Sequence, residues 1–287
     1  MSFLWEHFPS LRDVVAAESL SAKKSLGQHF LLDYSVLKRI IDAVSHELRD
    51  VCVVEVGPGP GGLTRAILET QAREVVVIEK DTRFFPIYEA MQERVGARLR
   101  VLEADALTCA PQELTGSPCA IISNLPYNIS VPLTLRWIQD PTPFRLLLLM
   151  YQKEVADRLL AQPRTSDYGR LSVMIQWRMH VERVMNLAPG AFVPAPKVAS
   201  TVVKLTPKDY DDTVTWDTME QVTFAAFNNR RKMLRVSLKS LGIDTLLLLD
   251  QAAIAPTKRA EELTVEEFCL LAKVFETLKE TQICVKN

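Results

Sequence analysis

Long apolar runs are missing from this chain. Runs such as LLLLM at 146–150 and LLLL at 246–249 fall far below the roughly 20 residues needed to cross a bilayer. The opening MSFLWEHFPS lacks a basic stretch followed by an apolar one, which argues against a secretory leader. There is no excess charge of one sign: 34 Lys and Arg stand against 35 Asp and Glu, so a nonspecific nucleic-acid coat is not expected. Cysteine is scarce and scattered. The five, at 52, 109, 119, 269 and 284, form no C-x-x-C pair, and the four histidines show no ligand-like spacing with them. A zinc site is therefore not expected, and idle thiols in a reducing cytoplasm are. Glycine numbers only ten in 287 residues, yet four stand in the run Gly57–Pro58–Gly59–Pro60–Gly61–Gly62. With 48% hydrophobic and 24% charged residues, the chain can bury a full core and is not a disordered sequence.

What is present is an alternation of apolar runs and helical periodicity. After an amphipathic lead-in around 10–20 and a polar stretch at 21–28, Asp33 or Ser35 can cap a helix. Its apolar positions are Val36, Leu37, Ile40, Ile41 and Val44. The run VCVVEV (51–56) stops at the glycine turn, and a helix follows from about Leu63. Further strands are expected at 74–79, 98–105, 119–123 and 144–150, with a helix over about 82–95. Such short, mostly apolar strands separated by helices predict an α/β fold with a parallel sheet covered on both faces. Two extended pieces within 179–206 read as an antiparallel pair at its edge. The polar stretch 207–217 reads as a linker, and helical spacing dominates beyond it. The boundaries expected are 1–208 and a small all-helical domain over 209–287.

The glycine turn after the first buried strand lets a ligand approach the main chain at Gly57, Gly59 and Gly61 without a Cβ in the way. Alone it would also fit the mouth of a dehydrogenase. Glu79 ends the second strand, where a carboxylate can accept from ribose hydroxyls. Asp105 ends the third and can accept from an adenine amine. After the fourth strand comes Ser123–Asn124–Leu125–Pro126–Tyr127–Asn128. The exocyclic amine of adenine is a weak nucleophile because its lone pair is delocalised into the ring. The Asn124 side-chain oxygen and a main-chain carbonyl can each accept one of its hydrogens and free that pair. Pro126 fixes the turn, and Tyr127 can stack on an unpaired base. The segment 228–239, with Arg230, Arg231, Lys232, Arg235 and Lys239, is strongly basic. It reads either as an RNA-contacting segment or as a solvated helix face.

Asn124–Leu125–Pro126–Tyr127–Asn128–Ile129–Ser130 resembles the ribosomal RNA adenine dimethyltransferases, the group of bacterial KsgA, eukaryotic Dim1 and the erythromycin-resistance methylases. The resemblance covers most of the chain: Gly27–Gln28–His29–Phe30–Leu31–Leu32–Asp33, Val54 to Gly61, Tyr168 to Val173, Phe192 to Ser200 and Asn229 to Lys232 are all similar to family motifs. It implies a Rossmann-like class I methyltransferase sheet, mostly parallel with an antiparallel edge hairpin, followed by the helical domain. It implies S-adenosylmethionine as cofactor, with His29, Leu31, Gly57, Gly59, Glu79, Asp105 and Asn124 in contact with it. His29 stands where the family commonly has asparagine. Tyr127 and Phe192 would sandwich the target adenine beside Asn124, Leu125 and Pro126, and Arg230, Arg231 and Lys232 would meet RNA. The implied activity is dimethylation of two adjacent adenines in the 3′-terminal hairpin of small-subunit ribosomal RNA, on immature subunits, by a cytoplasmic monomer with no membrane attachment. A resistance-type enzyme acting on one adenine of large-subunit RNA, or a catalytically idle nucleic-acid-binding relative, is the alternative.

Overall fold

A computed structural model describes residues 4–17, 20, 28–115, 118–210 and 212–286. The stretch 21–27, with Gly27 of the first motif, lies outside the described residues. Helix α1 (Leu11–Ala17) is followed by the two-residue strand β1 (Phe30–Leu31) and by α2 (Tyr34–Asp42). Asp33 is the residue that caps α2: its carboxylate accepts from the Ser35 and Val36 main-chain N–H groups. Leu37, Ile40 and Ile41 form the buried face of α2, and Leu11, Val14 and Leu20 of the lead-in join the same core.

The alternation then runs β2 (Cys52–Val56), α3 (Gly62–Leu68), β3 (Glu74–Glu79), α4 (Phe85–Val95), β4 (Leu99–Glu103), α5 (Pro111–Thr115), β5 (Cys119–Ser123), α6 (Tyr127–Trp137) and β6 (Phe144–Gln152). After α7 (Lys153–Leu160) and α8 (Arg170–Arg178) come β7 (Met179–Leu187), β8 (Phe192–Val193) and β9 (Ser200–Pro207). The seven-stranded sheet has the order β4-β3-β2-β5-β6-β9-β7. Pairs among β2 to β6 are parallel, and β9 lies antiparallel to β6, as the edge reading requires. Strands β2 and β5 are buried at every position, which is why they read as short, mostly apolar runs. Strand β8 does not join this sheet. It pairs antiparallel with β1, Phe30 opposite Val193 and Leu31 opposite Phe192.

The chain divides into two compact units, Met1–Ala156 with Glu182–Pro207, and Asp157–Val181 with Lys208–Asn287. The division differs from the sequence-based one at 157–181, which packs with the C-terminal helices α9 (Trp216–Asn228), α10 (Leu234–Ser237), α11 (Thr245–Gln251) and α12 (Val265–Lys286). The reason is aromatic packing across a long sequence gap. Trp177 stacks on Trp216, Tyr168 meets Phe227 edge-on, and Phe227 stacks on Phe268. The Arg178 guanidinium lies over both Trp177 and Tyr210. Among the described residues no helix is long and apolar enough to cross a membrane.

Candidate active site

The chain enters the sheet at β2, builds outward through β3 and β4, and returns to place β5 on the other side of β2. Strand order reverses there, and the loops leaving the carboxyl ends of β2 and β5 diverge to leave a crevice, the usual ligand position of open α/β sheets. A cavity of 470 Å³ occupies it. It is lined by His29, Leu31, Gly57, Gly59, Glu79, Asp105, Asn124, Leu125, Pro126 and Tyr127, so ten residues drawn from five separate sequence segments meet at one place.

The glycine turn owes its shape to positive φ. Gly59 has φ +55°, and a Cβ there would come within 3.1 Å of the Phe30 ring; Gly61 has φ +77°, and its Cβ would strike the Met91 methyl at 2.4 Å. The Tyr88 hydroxyl donates to the Gly59 carbonyl at 2.5 Å and fixes the loop from below. Glu79 accepts three main-chain hydrogen bonds, from Gly59 (3.2 Å), Lys80 (2.8 Å) and Asp81 (2.8 Å). Burial pushes its pKa up, and these three donors pull back against that shift. A carboxylate has about four acceptor directions. One therefore stays open for a ribose hydroxyl, and a second hydroxyl would have to share an oxygen with a main-chain donor.

Asp105 lies two residues beyond the end of β4 rather than within it. Its Oδ1 accepts from the Leu107 N–H, and its Oδ2 takes the Lys80 ammonium at 2.7 Å. That hydrogen bond from Lys80, with the one from Leu107, holds the Asp105 carboxyl below the usual carboxylate range. Lys80 also lines the cavity. Its place directly after Glu79 is the sequence signal that could have marked it as a site residue.

The turn after β5 is held by Leu125, whose side chain is buried, and by Pro126, which caps α6 in an extended conformation. The Asn124 amide nitrogen donates to the His29 carbonyl at 3.1 Å. With its nitrogen committed, the side-chain oxygen is the atom left to accept from a ligand. The Pro126 carbonyl is taken by the Ile129 and Ser130 N–H groups, while the Leu125 carbonyl accepts no hydrogen bond among the described residues. Tyr127 shares a hydrogen bond with the Ser200 hydroxyl at 2.7 Å, and its ring stacks with His29, centroids 5.7 Å apart.

Phe192, expected to sandwich a base with Tyr127, does not line this cavity. It is 2% exposed and belongs to the hydrophobic core, where its pairing with Leu31 holds it. The basic residues lie in the other unit, in the turn after α9 rather than on a helix face. Arg230 is braced there by Glu261 (2.8 Å) and the Thr165 carbonyl (3.1 Å), whereas Arg231 and Lys232 are exposed.

Glu55 is a wall residue that the sequence reading missed, although a lone acid inside a buried strand is a visible signal. It is 1% exposed, and its carboxyl accepts the Thr64 hydroxyl at 2.6 Å. Burial raises its pKa to about 8, with the Thr64 bond lowering it and the Glu79 charge raising it. The native state therefore keeps a proton that the unfolded chain releases near 4.5. Stability contributed by this group falls as pH rises from 4.5 to 8 and is level above that. Glu55→Gln keeps an acceptor for Thr64 and cannot ionise. We expect the variant to gain on the wild type by a few kcal/mol, to order of magnitude, between pH 5 and pH 9. Urea unfolding at both pH values checks this, and an offset independent of pH would mean that Glu55 is ionised throughout.

A mostly parallel sheet with this glycine turn, with acids at or just beyond the ends of β3 and β4 and with Asn-Leu-Pro-Tyr after β5, is the architecture of class I methyltransferases. The crystal structure of a dimethyladenosine transferase from Plasmodium falciparum superposes with a TM-score of 0.76 at 27% identity, covering 85% of this chain and 96% of that one. The 23S rRNA methyltransferase ErmE superposes with a TM-score of 0.64 at 26% identity over 86% and 99%. The model of the family described as ribosomal RNA adenine dimethylase matches residues 19–277, and the chain belongs to that family. Among curated relatives, the ribosomal RNA small subunit methyltransferase A of Paramagnetospirillum magneticum is 49% identical over 93% of this chain and 95% of its own. The protein of the same name from Paracoccus denitrificans is 47% identical over 92% and 95%.

Proposed function

We propose that this chain methylates the exocyclic amines of two adjacent adenines in the 3′-terminal hairpin of small-subunit ribosomal RNA, twice on each, with S-adenosylmethionine as methyl donor. The carrying observation is the orientation of Asn124. Its amide nitrogen is spent on His29, so its oxygen and the Leu125 carbonyl are the acceptors available to the two hydrogens of a bound amine. Both bonds strengthen as the nitrogen turns tetrahedral, which favours the transition state over the ground state. The bound donor would supply a methyl on a positively charged sulfur, a leaving group already activated. The protein's part is then to position the two reactants.

The residues present fit that donor. The Cβ-free approach at Gly59, the open acceptor direction of Glu79 and the Asp105 carboxylate suit a main-chain-facing chain, a ribose and an adenine amine in turn. Adenine in small-subunit RNA is supported by the names of the curated relatives and by their coverage of nearly the whole chain. The test is incorporation of labelled methyl groups into immature small subunits and, separately, into large-subunit RNA. Label confined to the small subunit supports the reading, and label on large-subunit RNA alone overturns it.

For the helical unit, Arg231 and Lys232 are the residues we assign to RNA phosphates, because Arg230 already serves as a brace. Replacing both by alanine should reduce the slope of log affinity against log salt by roughly 1.4–1.8, the value for two lost phosphate contacts. Cofactor affinity should not move. RNA titrations at several salt concentrations measure it, and superimposable plots for wild type and variant would remove these residues from recognition.

A further inference from the structure

Three contacts converge on the residue at position 29, and a strand pairing follows directly after it. The His29 Nδ1–H donates to the Pro194 carbonyl at 2.8 Å, and its ring stacks on Tyr127 at an interplanar angle of 26°. The His29 carbonyl takes the Asn124 amide, and the residues after it pair with Val193 and Phe192. A carbonyl partner requires the proton on Nδ1, which fixes the tautomer and leaves Nε2 without one in the neutral ring. Tyr127 is thus held at two ends, by the Ser200 hydroxyl at its tip and by the imidazole against its face. A phenol ring has two faces, and the imidazole lies offset against one of them. Phe192, the other aromatic expected at the base and the first residue of β8, is turned into the core.

We propose that His29 completes the base platform of this site: its ring backs Tyr127 and leaves a single open face, on which the target adenine stacks in register with Asn124. This rests on the reading of Tyr127 as the surface that receives the base. His29 is then a positioning residue, acting through Tyr127 and through the main chain at Pro194, and Phe192 contributes by anchoring β8 rather than by touching the base. A ring free to pivot would let the amine drift from the two acceptors, and such displacement is costly in rate even without loss of affinity.

The test compares His29→Ala, which loses both the ring and the donor, with His29→Phe, which keeps the ring alone. Three quantities are read: single-turnover transfer at saturating RNA and cofactor, calorimetric affinity for S-adenosylmethionine, and quenching of 2-aminopurine placed at the target position of the RNA. His29→Ala should slow transfer about tenfold or more even at saturating cofactor, and weaken the quench. His29→Phe should restore most of the quench. If His29→Ala does not fold, His29→Asn, which also lacks an aromatic ring to stack, is read in its place. Unchanged rate and quench would overturn the proposal. So would a rate loss that vanishes at saturating cofactor, since His29 would then serve the cofactor alone. Tyr127→Ala separates the two levels. If it transfers normally, the reading of Tyr127 is what fails; if it is defective while His29→Ala is normal, only the role of His29 fails.

Discussion

Asn124→Ala is expected to slow methyl transfer by about 10²–10³, the usual cost of removing one preoriented polar contact from a reacting centre. The loss should fall on the single-turnover rate, because the acceptor matters most as the amine reorganises. Cofactor affinity should fall less than the rate. Asn124→Asp is the sharper variant. It keeps an acceptor toward the cavity, but its second oxygen would face the His29 carbonyl in place of the amide donor now there. Repulsion between the two oxygens should twist the side chain away, so Asp should rescue little. Near-normal turnover in either variant at saturating RNA would show that the residue only shapes the turn.

Glu79→Ala is expected to weaken S-adenosylmethionine binding roughly 10- to 100-fold, since a hydrogen bond to a charged acceptor is worth about 1.5–3 kcal/mol. The structure adds a second reason beyond the ribose. The carboxylate also gathers the N–H groups of Gly59, Lys80 and Asp81, and alanine would leave all three without their acceptor. Glu79→Gln should be impaired as well, because its amide can present oxygen to Lys80 and Asp81 only by turning an NH₂ toward the Gly59 N–H. Titration calorimetry decides the matter. An unchanged dissociation constant in the alanine variant would remove Glu79 from the cofactor site.

The parts of this molecule that were legible in the sequence are those whose signal is local. Strands β2, β3, β5 and β6 are apolar because both faces are covered, and the glycine turn marks where β2 must stop. Ten of the expected site residues meet in the cavity, eight of them because they sit at or shortly past the end of a parallel strand, where the chain direction determines the address, while His29 and Leu31 reach it through β1. What escaped is set at a distance. The strands β1 and β8 have two residues each, too few to show a period, and their pairing is what buries Phe192. A motif cannot distinguish an aromatic that faces a ligand from one that anchors the loop. The placement of 157–181 depends on Trp177 finding Trp216 and Tyr168 finding Phe227, neighbours that no window of sequence contains. Arg230 likewise looks free in a basic run until Glu261 is brought beside it.

Whether the Asn124 turn receives adenine amines of small-subunit RNA is decided by the position and degree of modification. Immature small subunits incubated with the protein and S-adenosylmethionine can be digested and their nucleotides mapped by mass spectrometry. The account predicts N6,N6-dimethyladenosine at two adjacent adenines of the 3′-terminal hairpin, and its absence with Asn124→Ala. Methyl groups found at another base, only on large-subunit RNA, or nowhere with folded protein that binds the cofactor, would contradict it.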